Sequence, residues 1–199
     1  MRKKKDRRIH ISTMRVLSVA LLAGLVTLTF SFTIAWGERM ESIEKTASAD
    51  VFAHYETETL FGEPFTAEDT SEAAVTAYNI WETTCPACLG EMGELEELSH
   101  AYPLEEFRLA GVCADLYDSK GELKQSQIEK ARSLMNDAGT TFDHIIPTKE
   151  MMDFFTSVVA GFPTTFFVDR NGKIIAYTTG ARDLEGWTKK VDEILKEVN

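Results

Sequence analysis

The chain has 199 residues, with 21 Lys and Arg against 32 Asp and Glu and a net charge of −11. That length suits one domain with its own core plus an appended segment. Seven of the basic residues lie in Met1–Arg15, so from Val16 onward 14 basic residues meet 31 acidic ones, a balance of −17. A field of that sign excludes the basic footprint of a nucleic-acid binder, and three cysteines, two of them in one C-x-x-C, exclude a small disulfide framework.

Arg2, Lys3, Lys4, Lys5, Arg7 and Arg8 form a basic head over residues 1–15, and Val16 to Trp36 run for 21 residues without a charge. About 20 apolar residues cross a bilayer core as a helix, so residues 16–36 are expected to be a transmembrane signal-anchor. Basic residues ahead of a first span stay in the cytoplasm, which puts the N-terminus inside and Gly37 to Asn199 on the extracytoplasmic side of the cytoplasmic membrane. A cleavable signal peptide ending at Ala47-Ser48-Ala49 is the competing reading. The apolar run exceeds the roughly 7–15 residues of a signal-peptide core, and the charged stretch Glu38–Lys45 separates it from that site, so the anchor is favoured. No cysteine stands near the end of the span, which excludes a lipidated-cysteine anchor.

Residues 37–60 read as an acidic linker in which Phe52, Tyr55 and Leu60, with Phe61 just beyond, are candidates to pack on the domain, and His54 reads as a solvated histidine. The domain itself is expected over residues 61–199. Phe65–Glu68 can form a short strand and Ala73–Trp81 a second, with Val75, Ala77, Tyr78, Ile80 and Trp81 for a core. Leu89–Tyr102 has Leu89, Met92, Leu95, Leu98 and Tyr102 at helical spacing, and Phe107–Cys113 is again a strand. Strand, helix, strand implies a parallel pair with a right-handed crossover.

Ser119-Lys120-Gly121-Glu122 has the spacing of a capping box and is expected to open a helix with Leu123, Ile128, Ala131, Leu134 and Met135 on one face, closed by Gly139. Thr148 can cap a helix over Lys149–Val159, whose Met and Phe content reads as core packing. Thr164–Asp169 and Lys173–Thr178 make a hairpin in which Asn171-Gly172 is expected to supply two positive φ values. Asp183 opens a last helix with Trp187, Val191, Ile194, Leu195 and Val198 inward. The order predicts an α/β fold, a mixed central sheet with helices on both faces.

Cys85-Pro86-Ala87-Cys88 falls at the junction of the Ala73–Trp81 strand and the helix after it. Unpaired N–H groups and the dipole of a first helical turn favour a thiolate there, so the pair is chemically tunable. A Gly161-Phe162-Pro163-Thr164-Thr165 segment precedes the hairpin. Together with the β/α order, these motifs resemble the thioredoxin superfamily, and in particular its TlpA/ResA-type membrane-anchored thiol-disulfide oxidoreductases. The resemblance covers about residues 60–199 and is carried by Trp81, Cys85, Pro86, Cys88, Glu91, Met92, Gly161, Pro163, Thr164 and the Asp169-Arg170-Asn171-Gly172-Lys173 turn.

That resemblance implies a redox-active pair in which Cys85 is the nucleophile and Cys88 resolves the mixed disulfide, with no cofactor and no metal. Pro163 looks like the family's cis-proline, leaving the backbone of Phe162 free for a substrate peptide, and Trp81, Thr84 and Pro86 are the other expected substrate contacts. Related reductases carry an acid at the position of Glu91, three residues after Cys88. A carboxylate there disfavours a thiolate and can carry its proton, which tilts the pair towards reduction. The other reading of Glu91 is one more solvated glutamate. The implied partners are an integral-membrane thiol electron donor and an extracytoplasmic disulfide-bearing protein, apocytochrome c during cytochrome c maturation being one candidate.

Several positions depart from the family pattern: Thr84 replaces an aromatic, Gly93 a helix-kinking proline and Asn79 the buried acid of thioredoxin itself, and Thr70–Val75 is short for the segment before the catalytic strand. Cys113 reads either as a small buried hydrophobe or as a third redox partner. Two further readings are a thiol oxidase of the same fold and, from another class, a metal-binding module built from Cys85, Cys88, Cys113 and one of His100 or His144.

Overall fold

The computed structural model describes residues 51–198; the basic head, the apolar run 16–36 and Ala47-Ser48-Ala49 lie outside those residues. Among the described residues no helix is long and apolar enough to cross a membrane. The elements are β1 (Glu56–Glu58), β2 (Pro64–Thr66), α1 (Glu68–Ser71), β3 (Val75–Trp81), α2 (Pro86–Gly90), α3 (Met92–Ser99), β4 (Phe107–Cys113), α4 (Gln125–Ala138), β5 (His144–Ile145), α5 (Lys149–Val158), β6 (Thr164–Asp169), β7 (Ile174–Thr179) and α6 (Leu184–Val198).

The main sheet has the order β5-β4-β3-β6-β7. β3 runs parallel to β4 and antiparallel to β6, so the sheet is mixed. Strand side chains alternate between faces, and the cores divide accordingly. Val75, Ala77 and Trp81 of β3 join Phe107, Leu109 and Cys113 of β4 and Phe167 of β6 under α3, α4 and α6. Tyr78 and Ile80 join Ala110, Val112, Phe166 and Val168 under α5 and the segment from Val51 to Phe65. By that parity Asn79 and Thr165 fall on the α3/α6 face.

Several elements differ from the sequence reading. The stretch from Val51 to Leu60, read as linker, is folded: Val51, Phe52, Tyr55 and Leu60 are buried, and β1 pairs with β2. Phe52, Tyr55 and Leu60 pack on the domain as their apolar side chains lead one to expect, and Val51 joins them. Phe61 stays exposed. The expected capping box is instead a turn: Asp118 Oδ1 accepts from the N–H groups of Lys120 and Glu122, a Tyr117–Leu123 bridge closes it, and the helix starts only at Gln125. An Asp one residue earlier outcompetes Ser119 for the same donors. The hairpin turn needs one positive φ, not two: Gly172 has φ +76° and no residue other than glycine has a positive φ among the described residues. Asp169 Oδ1 accepts from the N–H groups of Asn171 and Lys173, which builds a three-residue loop. A Cβ on Gly172 would also stand 2.4 Å from the Ala53 backbone, so the glycine admits the N-terminal segment. β5, only two residues long, has no period to read, and Val198 at the end of α6 is exposed rather than inward.

Candidate active site

β3 ends at Trp81, and α2 starts with Pro86, whose missing N–H suits the first helical position. Cys85 caps that helix: its Sγ accepts from the N–H of Cys88 at 3.2 Å, and its carbonyl accepts from Leu89 at 3.1 Å. Cys85 and Cys88 are joined in a disulfide with Cα atoms 5.3 Å apart. Cys85 is half-buried and Cys88 fully buried, so a partner protein can reach only the first sulfur.

Opposite stands the β6 entry. Ile80 pairs with Thr164, which sets Pro163 beside the end of β3. The Phe162–Pro163 bond is cis. The Pro163 carbonyl accepts from Gly180 at 2.9 Å, while the backbone of Phe162 has no partner among the described residues.

Three residues after Cys88 comes Glu91, at the break between α2 and α3, where its N–H donates to the Cys88 carbonyl at 3.3 Å. Its side chain is 1% exposed, so the solvated alternative is wrong. Oε1 accepts from Asn79 Nδ2 at 3.0 Å and Oε2 from the backbone N–H of Arg182 at 3.1 Å. Asn79 Nδ2 also donates to Thr165 Oγ1 at 3.0 Å, and its own Oδ1 has no partner. Burial pushes the Glu91 carboxyl above the usual carboxylate range, against the pull of Asn79 and of Arg182. The group therefore holds a proton more tightly than a surface glutamate does. The helix break also resolves the missing proline: Gly90 and Gly93 flank Glu91, and a buried carboxylate with poor helix formers on both sides interrupts the helix without one.

A second cluster holds the approach to Cys85. Asp115 accepts from the Thr83 N–H at 3.1 Å, from Thr83 Oγ1 at 2.6 Å and from Gln127 Nε2 at 2.8 Å. Cys113 Sγ donates to the same carboxylate at 3.3 Å. Burial and then the Asp115 charge push the Cys113 thiol far up, so it stays a thiol, which agrees with a buried hydrophobe and not with a third redox partner.

No family model and no curated protein matches the chain. Solved structures do. A thiol:disulfide interchange protein of the thioredoxin family from Chlorobium tepidum aligns at 20% identity and TM-score 0.58, over 72% of this chain and 94% of that one. A secreted Mycobacterium tuberculosis disulfide oxidoreductase, homologous to E. coli DsbE, aligns at 16% identity and TM-score 0.55, over 73% and 99%. StoA from Bacillus subtilis aligns at 20% identity and TM-score 0.54, over 70% and 97%.

The chain has a thioredoxin-like fold. Cys85, Cys88, Glu91 and Pro163 fall at one end of β3 and β6. Thr84 and Pro86 are exposed beside Cys85, and Phe162 is half-buried. Trp81 is different: it is fully buried with its Nε1 unpartnered, so it underlies the site and cannot make the substrate contact expected of it. The metal-binding set is not assembled. His144 is buried between the rings of Trp81 and Phe142, and His100 is exposed and bound to Glu96. Among the described residues no group of three or more His, Cys, Asp or Glu is placed to hold a metal.

The sequence marked Asn79 as replacing a buried acid and Thr165 as part of the motif before the hairpin, but not the bonds that Asn79 makes to Glu91 and to Thr165, and Arg182 and the Asp115 cluster went unread. Strand parity alone places Asn79 and Thr165 with Trp81 and Phe167. Nothing in the spacing of Arg182, Thr83 or Asp115 announces that Thr83 meets Asp115 across 32 positions or that Arg182 meets Glu91 across 91.

Proposed function

We propose that the protein is a membrane-anchored thiol-disulfide oxidoreductase that reduces disulfides in extracytoplasmic proteins through Cys85 and Cys88. The observation that carries this reading is the buried Glu91, one helical turn after Cys88, with its carboxyl held above the usual range. In the reduced protein Cys85, having lost its proton to water, attacks one sulfur of a substrate disulfide; a Cys85–substrate disulfide forms and a substrate thiolate leaves. Cys88 then passes its proton to the Glu91 carboxylate and attacks Cys85, releasing the second substrate thiolate and closing the Cys85–Cys88 disulfide. Two electrons pass to the substrate, whose thiolates take up two protons, one of them returned through Glu91.

The direction follows from charge. From Glu82 to Gly90 there is no basic residue to stabilise a thiolate, and Glu91 disfavours one. Less acidic thiols make the reduced pair a better electron donor. The half-buried Cys85 and the open backbone of Phe162 suit an extended peptide laid across the cis-proline. The uncharged run 16–36 behind a basic head supports an anchor in the cytoplasmic membrane, with an integral-membrane thiol donor renewing the pair and apocytochrome c among the candidate substrates.

Replacing Cys88 by Ala stalls the cycle at the mixed disulfide. The expected result is a covalent Cys85 adduct with an extracytoplasmic protein that dithiothreitol releases. Failure of the Cys88→Ala protein to capture a partner through Cys85, together with failure of the wild type to reduce insulin, overturns the assignment.

A further inference from the structure

We propose that Arg182 is a positioning residue that ties Glu91 to the cis-proline loop, its backbone N–H holding the carboxyl and its guanidinium holding the loop that seats the substrate peptide. The inference rests on the proposed reductase function. Arg182 lies in the short connection between β7 and α6. Its backbone N–H donates to Glu91 Oε2 at 3.1 Å. Its Nη1 donates to the Gly180 carbonyl at 3.2 Å, its Nη2 to Thr178 Oγ1, and the guanidinium lies 5.5 Å over the Trp187 ring.

These bonds close two circuits. Gly180 donates its N–H to the Pro163 carbonyl at 2.9 Å, so Arg182 holds the residue that holds the cis-proline. Gly180 has φ +94° with nothing within 4 Å of a would-be Cβ, so its backbone conformation and not close packing calls for glycine there. On the other side Thr178 pairs with Thr165, whose Oγ1 accepts from the Asn79 amide that also donates to Glu91 Oε1. Oε2 is thus held by the backbone N–H of Arg182, and Oε1 by Asn79, whose partner Thr165 lies in register with the Thr178 that the guanidinium holds. A lysine offers no planar fork to span Gly180 and Thr178 together.

The elements packed against Glu91 leave Arg182 as the nearby cation. β3 presents the neutral Asn79, β6 the neutral Thr165 and α6 the neutral Trp187. On the same helical run stand Cys88 and, one turn on, Glu94, whose carboxylate is occupied by the Leu184 N–H at 2.9 Å. The cation opposes the rise that burial imposes on Glu91, so removing it raises the carboxyl further.

The test compares wild type, Glu91→Gln, Arg182→Met and Arg182→Lys in the full chain, with insulin as the disulfide probe and the rate followed against pH. Arg182→Met is expected to move the Glu91-dependent limb of the profile to higher pH and to raise KM about tenfold through the loosened proline loop. Arg182→Lys is expected to keep the limb but not the KM, and it decides the matter if Arg182→Met fails to fold. A wild-type limb and KM in both variants, when Glu91→Gln abolishes the limb, overturns the role of Arg182 and leaves the reductase reading standing. A limb that persists unchanged in Glu91→Gln overturns this proposal alone, whereas a wild type without insulin reduction overturns the reductase reading and this proposal with it.

Discussion

His144→Leu is predicted to stabilise the fold, and to do so more strongly as the pH falls. His144 lies 2% exposed on β5, and neither ring nitrogen has a partner. Each unsatisfied buried polar group costs about 1–3 kcal/mol, while the ring contacts to Phe142 and Trp81 return about 0.5–1.5 kcal/mol apiece. At neutral pH a leucine of similar volume should therefore gain about 1–3 kcal/mol. Acid widens the gap. Burial pushes the imidazole from 6.5 down to about 3, so between those values the unfolded chain binds a proton that the folded chain refuses, and wild-type stability falls as the pH falls. At about 1.4 kcal/mol per pKa unit, the roughly two units between about pH 6.5 and pH 4.5 remove roughly 3 kcal/mol from the wild type and nothing from the leucine variant. Urea unfolding followed by circular dichroism at about pH 7 and pH 4.5 measures both differences. A gap that is negative at neutral pH, or the same at the two pH values, refutes the reasoning.

Glu91→Gln should lower insulin reduction by about 10²-fold, the lower end of the usual contribution of a positioned acid-base group, and flatten its pH profile. Because the Glu91 carboxyl is raised by burial, wild-type stability should also decline as the pH rises from the unfolded carboxyl value through the folded one, a slope that denaturation of the glutamine variant should lack. Asp115→Ala frees the Thr83 N–H and Gln127 and should destabilise the protein by about 1–3 kcal/mol at neutral pH, read by urea unfolding. Hydrogen bonds hold Asp115 below the usual range despite its burial, so that contribution should fade as acid protonates it, and the two proteins should converge towards low pH. Gly111→Ala puts a Cβ 2.2 Å from His144 Nδ1 and should lower stability by about 1–3 kcal/mol, a loss that shrinks when His144→Ala accompanies it.

The core of this fold was legible because strand and helix periods are local. β4 was found to the residue, and the Thr148 cap, the Gly139 stop and the inward face of α6 through Leu195 follow from side chains that act within a few positions. The disulfide motif was legible for the same reason. Turn chemistry was harder, since Asp118 took a donor that Ser119 was expected to engage, and Asp169 built a loop with one positive φ where two were expected. The supports of the site were least legible: Glu91 could be singled out, but its partners Asn79 and Arg182 meet it only after β3 and the β7–α6 connection have converged, and no short-range pattern encodes that meeting. Over residues 51–60 the apolar side chains of Phe52 and Leu60 marked them as packing candidates for the two cores, but their irregular spacing announced no strand, so β1 went unread.

The proposed function makes Cys85 and Cys88 a reducing couple with a buried carboxyl three residues on. Equilibrating the protein against glutathione or dithiothreitol buffers of known potential measures it directly. The expected midpoint lies towards that of thioredoxin, about −270 mV, and a value near the roughly −120 mV of a strong thiol oxidant would make the couple an oxidant instead.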